Sequence, residues 1–314
     1  IYLSGGTFIT KVCKLNQNVY MRGGIEVLRS NVVIDDVKHQ LANEGSKEQT
    51  SAPYYGIFYL KQCAYITIKN CIVSSHIVYK NVSGTYDIFP YEVDYLTIFN
   101  CHEYTDIKDS DRWGVIGSNF CKNFRLINST LSRFDAHQGL TYGYIKDSTI
   151  GHGGINLTGE GTFKIENSTC YGQNFINLRK DYGSTWHGNI YIKDCTWIPR
   201  NGESGYSSSM ACILGGDHGE NTIGQNYYSW NFGYECYMPE KLFIDGFTID
   251  DTKAGTGYTG PHLLSPFVKA NVTNEFYKYQ SSYPYHLIKD IYFRRFTSKS
   301  GNCTTYKQVS ENTE

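Results

Sequence analysis

The sequence predicts an all-β fold, a single-stranded parallel β-helix in which short strands coil into rungs and the rungs stack. Three observations predict it. One phrase recurs along the 314 residues, with the template apolar, any, Ile, any, Asn or Asp, small, any, apolar. Within each copy the apolar residues alternate, the signature of a strand with one buried face. The composition also favours strands: aromatics are 15% of the chain, with 28 tyrosines against 7 prolines.

The copies run in order. "NVVIDDVKH" from Asn31 is a worn first copy, followed by "YITIKNCIV" from Tyr65 and "YLTIFNCHEY" from Tyr95. "FRLINSTLS" from Phe124 and "YGYIKDSTIG" from Tyr142 are nearly the same phrase twice, 19 residues apart between Ile127 and Lys146. "TFKIENSTCYG" from Thr162, "NIYIKDCTWI" from Asn189 and "KLFIDGFTID" from Lys241 continue it, and "IKDIYFRRFT" from Ile288 is a worn last copy. A period of about 20 residues and its longer multiples is how a β-solenoid reads, because each rung can bury its inner face only against its neighbours. Asn or Asp in mid-phrase predicts a sharp bend in the left-handed backbone region, which these two residues tolerate. Asn128, Asp147 and Asn167 should then stack along that bend. The predicted domain covers 1–299, with insertions at 38–56, 80–93, 102–118, 199–236 and 252–284 and a polar tail at 300–314. The chain opens on Ile1 with strand character and no Met, and reads as a fragment or a mature product.

Ten cysteines invite a disulfide reading. Cys71, Cys101 and Cys195, however, each follow the Asn or Asp of a copy, where other copies carry Ser129, Ser148 and Ser168. A position that alternates between Cys and Ser is expected to hold a free, buried thiol. There is no Cys-x-x-Cys, and the Asp106, Asp109, Asp111 run lacks the Gly and distal Glu of an EF-hand loop, so no metal and no cofactor are expected. A net charge of −1 gives no electrostatic case for a nucleic-acid partner, and no apolar run is long enough for a membrane span.

Ionisable residues crowd one part of the repeat. Stacking the copies puts Arg133 over His152, Asp135 over Gly154 and Asn156 beneath His137, so Asp135, His137 and His152 are expected to share a patch. A carboxylate beside imidazoles can act as general acid or base. Gly151, Gly153 and Gly154 around His152 would let a ligand approach the backbone. Arg133, Arg179, Lys180 and Asp181 would flank the patch, the basic ones suited to an acidic or sulfated sugar. Trp113 and Trp186 are candidate sugar-stacking surfaces, with burial in the core or a loop as the alternative. Asp135 and His137 could equally cap a turn.

"GHGG" at 151–154, followed by "FKIENSTCYGQNFINLRKDYG", resembles the polygalacturonase family of β-helix hydrolases. That resemblance implies His152 as an active-site histidine, Arg179 and Lys180 as a substrate clamp, and Asp135 in an acidic residue's place. The family's Asn-Thr-Asp and paired Asp-Asp motifs are absent here, so altered chemistry is an open reading. The opening "IYLSGGTFITKVCKLNQNVYMRGGIEVLRSNVVID" is similar to pectate-lyase-like β-helix domains, many of which occur in phage tailspikes. "SRFDAHQG" and "SWNFGYECYMPEKLFIDGFTIDD" resemble uncharacterised β-helix proteins of gut bacteria and their phages. These likenesses, with the crossover preference, imply a right-handed coil.

The expected function is extracellular recognition of a polysaccharide, with cleavage as its extension. Hydrolysis would use Asp135 as acid, His152 as helper and Arg179 for substrate. An inverting enzyme would need a second carboxylate, for which Asp109, Asp111 and Asp181 are candidates. Lytic elimination by an Arg or Lys base is a further option. The alternative is a non-catalytic virion or cell-surface rod, a class that commonly forms homotrimers.

Overall fold

The computed structural model describes residues 2–11, 25–38, 55–73, 86–103, 106–108, 116–179, 186–199, 211–216, 236–255, 258, 261–264, 285–286 and 288–301. They form an all-β protein with two compact units, Ile1–Gly153 and Gly154–Glu314, and the chain passes from one to the other within a single strand. Among the described residues, the strands pair in parallel.

The first unit holds β1 (Tyr2–Lys11), β2 (Ile25–Asp35), β3 (Tyr55–Lys69), β4 (Ile72–Val73), β5 (Tyr86–Phe99), β6 (His102–Glu103), β7 (Asn123–Ile127), β8 (Thr130–Lys146) and the start of β9 (Thr149–Glu166). β2, β3, β5, β7 and β8 lie side by side in that order. Their register is the one the repeated phrase predicts: Ile34 pairs with Ile68, Ile68 with Ile98, Ile98 with Leu126 and Leu126 with Ile145. All five of these side chains are fully buried. Each contributes about 1.5–3 kcal/mol by leaving water, and the stacked column forms the core of the unit. Phe124 and Phe134 stack inside it with centroids 4.3 Å apart.

The bend expected at the Asn or Asp is present on successive rungs. Asp36, Asn70, Asn100, Asn128 and Asp147 all have φ between 46° and 56°. Their amides also bond along the stack: Asn70 Nδ2 donates to Asp35 Oδ1 (2.7 Å), Asn100 Nδ2 to Asn70 Oδ1 (2.8 Å) and Asn128 Nδ2 to Asn100 Oδ1 (3.2 Å). Asn100→Ala should cost about 1–2 kcal/mol, losing both the ladder bonds and a residue suited to this backbone region. Asn100→Gly should cost less, because glycine keeps the bend. Urea unfolding of the two variants side by side checks the order, and equal costs would refute the backbone part of the account.

A second bend was not foreseen. Arg29, Gln62, Glu92 and Phe120 also adopt φ of 50–56°, and Gly139 lies at 76°. Here Arg29 Nε donates to Gln62 Oε1, and Gln62 Nε2 to Glu92 Oε2. Of the stretch expected as an insertion over 80–93, the described part is strand: from Tyr86 the chain pairs with β3, from Tyr55–Tyr86 to Lys69–Phe99, and folds sharply at Glu92.

The second unit holds the rest of β9, then β10 (Thr169–Cys170), β11 (Ile176–Leu178), β12 (Trp186–Trp197), β13 (Ala211–Gly216), β14 (Cys236–Tyr237), β15 (Lys241–Ile249), β16 (Pro261–Leu264), β17 (Tyr285–His286) and β18 (Asp290–Ser298). β13 and β16 fall inside the stretches expected as insertions and pair with each other in parallel. The inward column runs Ile165, Ile192, Ile244, Phe293. Three stacked rings face outward, Tyr191, Phe243 and Tyr292, with centroid separations of 4.7 and 4.6 Å.

Seven of the ten cysteines lie among residues whose side chains are described, and all seven are free and buried. The column also shows why Cys and Ser interchange: Ser129 Oγ accepts the Cys101 backbone N–H, and Ser148 Oγ accepts that of Ser129. Burial pushes the Cys121, Cys170 and Cys195 thiols up to about 12, so they remain protonated and inert.

Ion pairs tie β18 to earlier strands. Arg294 Nη2 lies 2.7 Å and Arg295 Nε 2.6 Å from Asp245; Arg295 also reaches Asp194 (2.8 Å) and Lys299 reaches Asp250 (2.6 Å). The reach to Asp194 crosses Gly246, where a Cβ would lie 2.8 Å from Arg295 Nη2. Arg295 and then Arg294 hold the Asp245 carboxyl below its ordinary range, and Lys299 does the same for Asp250. For a depressed carboxylate, the stabilisation exists above the unfolded pKa and is lost as pH falls through the folded one. Amide exchange protection of β18, measured against β12, should therefore hold at neutral pH and fall below about pH 4. High salt at neutral pH should weaken it in the same direction. Protection unchanged by either treatment would refute the ionic account.

Candidate functional site

The structure brings Arg133, Asp135 and His137 together on β8, in the first unit. Alternate residues of a strand share a face. Phe134 takes the inner side, so the three polar residues share the outer one. The segment is fixed by its neighbour: Ser118 N–H donates to the Asp135 carbonyl (3.1 Å), and His137 N–H donates to the Ser118 carbonyl (2.9 Å). The Ser118 hydroxyl adds a second bond to the same Asp135 carbonyl.

Asp135 has no solvent exposure. Its Oδ2 lies 2.7 Å from Arg133 Nη2 and 3.0 Å from His137 Nε2. The other ring nitrogen of His137, Nδ1, lies 2.7 Å from Asn119 Oδ1. Both nitrogens of the imidazole are thus engaged within the protein. Tyr86, itself buried, packs against the cluster. The Arg133 guanidinium carbon lies 5.9 Å from its ring centroid, and His137 meets the ring edge-on at 6.3 Å. Tyr86 lies against Gly117, where any side chain would overlap the ring.

This burial changes the role expected for Asp135. A general acid must reach the glycosidic oxygen, and the Asp135 carboxyl, with no exposed surface, faces Arg133 and His137. In this arrangement the Asp135 carboxylate fixes the arginine and the imidazole in place. A buried carboxylate that meets two such partners is costly to disrupt, because removing one member leaves the others uncompensated.

His152 is placed by another element. Its backbone N–H donates to the Ile107 carbonyl (2.8 Å), and Nδ1 lies 3.0 Å from the same oxygen. The neighbouring glycines serve packing. A side chain at Gly151 would strike the Ile107 backbone, and one at Gly153 would meet Ser132 and the stem of Arg133. The expectation that Gly151 and Gly153 admit a ligand is corrected: they admit the protein's own chain.

In the second unit, Arg179 is half-buried and its N–H donates to the Leu157 carbonyl (3.0 Å). Trp186 is completely buried and packs edge-on to Phe163 at 6.1 Å. An indole with no exposed surface cannot stack on a sugar, so its expected substrate contact is withdrawn in favour of the core alternative. Lys180, Asp181, Trp113, Asp109 and Asp111 lie outside the described residues. Asp106 caps its own turn, accepting the Lys108 N–H. Among the described residues, no group of three His, Cys, Asp or Glu side chains could hold a metal, and no helix is long and apolar enough to cross a membrane.

Sequence reasoning missed three members of the site. Tyr86 and Asn119 belong to other rungs, and only the register brings them to Arg133 and His137. Glu103 left a readable signal. It occupies an apolar position of the template, is nearly buried, and accepts the Ser132 N–H at 2.6 Å.

No family model matches the chain, and no solved structure matches it. A stretch is 34% identical over 99 residues to the "Depolymerase, capsule KL64-specific" of Klebsiella phage P510. The similarity covers 27% of this chain and 10% of that protein, so the chain matches about a tenth of the relative's length. That similarity and the all-β, parallel-rung architecture agree with the resemblance to phage tailspike-type β-helix proteins.

Proposed function

We propose that this chain is a right-handed parallel β-helix that binds a capsule-type polysaccharide, working outside the cell or on a virion. The observation that carries the reading is the stretch shared with the phage capsule depolymerase, on a scaffold whose rungs stack in parallel. The exposed aromatics Tyr65, Tyr95, Phe99 and Phe120 of the first unit supply apolar surface suited to the faces and edges of sugar rings.

Cleavage is the second reading, favoured by the relative's being a depolymerase. In it His137 or His152 would meet the glycan, and Asp135 would act through His137. The enclosure of Asp135 and the engagement of both His137 nitrogens favour binding alone at this cluster.

The test uses a panel of purified capsular polysaccharides. Affinity electrophoresis reads binding, reducing-end release reads hydrolysis, and absorbance of unsaturated products reads elimination. Binding without chain shortening supports recognition. Shortening abolished by His137→Ala or His152→Ala in a folded protein supports cleavage. Neither binding nor shortening on any glycan overturns both readings.

A further inference from the structure

One inward column of the first unit holds two thiols on consecutive rungs. In register it reads Val37, Cys71, Cys101, Ser129, Ser148. Cys71 and Cys101 each follow an asparagine bent into the left-handed region, at φ of 55° and 51°. Neither side chain has any solvent exposure. They take the same pose: Cys71 Sγ donates to the Lys69 carbonyl (3.1 Å) and Cys101 Sγ to the Phe99 carbonyl (3.4 Å). Ser129 and Ser148 make the equivalent bonds through Oγ, to the Ile127 and Lys146 carbonyls.

Neighbouring strands lie about 4.8 Å apart, and a disulfide spans Cα atoms about 4.4–6.8 Å apart. Two cysteines in register on adjacent rungs fall inside that window. The register is pinned where His102 N–H donates to the Cys71 carbonyl (2.9 Å). Among the described cysteines, Cys63 and Cys121 also share a column, but Val93 stands between them. The Cys101 thiol, hydrogen-bonded to Cys71, draws Cys71 below the ordinary thiol range. A thiolate is the form that attacks a disulfide, so Cys71 is the nucleophile of the pair.

We propose that Cys71 and Cys101 form a disulfide that staples two consecutive rungs, made by exchange with a low-molecular-weight disulfide. The Cys71 thiolate attacks one sulfur of that reagent, and a small thiolate leaves with the electron pair of the broken S–S bond. The Cys101 thiol then gives its proton to that leaving thiolate and attacks the Cys71 sulfur of the mixed disulfide, releasing the second small thiol. Two cysteine thiols are oxidised, and one small disulfide is reduced to two thiols. Both cysteines are sealed once the rungs close, so the exchange takes place while β4 and β6, two residues each, are open. The bond ties together two points a whole rung apart in the chain, which restricts the unfolded state and opposes unfolding.

The full chain, reduced and unfolded in urea, is refolded in a buffer of reduced and oxidised glutathione. It is then alkylated, digested without reduction and read by mass spectrometry. A peptide pair joined through Cys71 and Cys101, lighter by two hydrogens than the free peptides together, is expected. The urea midpoint should rise in the oxidised protein and fall back on reduction. Cys71→Ser should abolish that difference and still fold, because serine already serves at positions 129 and 148 of the column. Alkylation of both cysteines after refolding overturns the proposal, as does linkage of either one to a different cysteine. A midpoint difference of wild-type size in Cys71→Ser overturns it too. No polysaccharide enters the experiment, so its outcome is independent of the glycan-binding proposal.

Discussion

Asp135→Asn is expected to lower the stability of the first unit by about 3–5 kcal/mol, the usual cost of removing one partner from a buried ionic cluster. The substitution keeps the shape of the side chain and removes only its charge, so packing loss is a minor part of the effect. What remains is an Arg133 guanidinium and a His137 imidazole facing a neutral amide, where a carboxylate had met them at 2.7 and 3.0 Å. Neither can turn easily to water, because Tyr86 lies over them and Gly117 leaves no room for the ring to withdraw. Denaturant unfolding, read by probes in the Ile1–Gly153 unit, measures the loss. A second substitution, Arg133→Met in the Asp135→Asn background, should recover part of it, because it removes the uncompensated charge. A stability change below about 1 kcal/mol would show that the carboxylate is not the hub described here, and would return Asp135 to the candidates for direct contact with substrate.

Register was the most legible property of this chain. Once the phrase around Ile68, Ile98, Leu126 and Ile145 is aligned to itself, the alignment is the strand pairing, because a rung can bury its inner face only by matching the next. The bend at Asn70, Asn100 and Asn128 was legible because the residue type is suited to the conformation. The bend at Arg29, Gln62, Glu92 and Phe120 was not, since these residues share no chemistry that favours positive φ. They are held there by the bonds along the stack and by the strands on either side. That gap placed residues 80–93 in an insertion and hid Tyr86.

Less of the site was legible. Stacking the copies grouped Asp135, His137 and His152; the structure joins Asp135 to Arg133 and His137 and ties His152 to the Ile107 carbonyl. What period cannot report is what covers a face. Asp135 is buried against Arg133 and His137, Tyr86 of another rung packs on these two and over Gly117, and the imidazole is held by Asn119. An exposed carboxylate and a sealed one have the same sequence signature, yet one transfers protons to a ligand and the other organises its neighbours.

The same ambiguity applies to Trp186, and there the expected effect is as large. Trp186→Ala should cost about 3–5 kcal/mol, because it deletes one of the largest fully buried side chains and leaves a cavity beside Phe163 that the parallel strands cannot close. Trp186 sits at the first residue of β12, paired through Gly159 to β9, so the cavity would open where the rung begins. The loss should appear as a lower midpoint in denaturant unfolding with the slope unchanged. The sugar-stacking alternative makes the opposite forecast: a tryptophan that meets a glycan would lose affinity on truncation and leave the midpoint where it was. Measuring both quantities on one preparation separates them. A folded Trp186→Ala protein with wild-type stability and weakened polysaccharide binding would place the indole at the ligand, against the packing seen here.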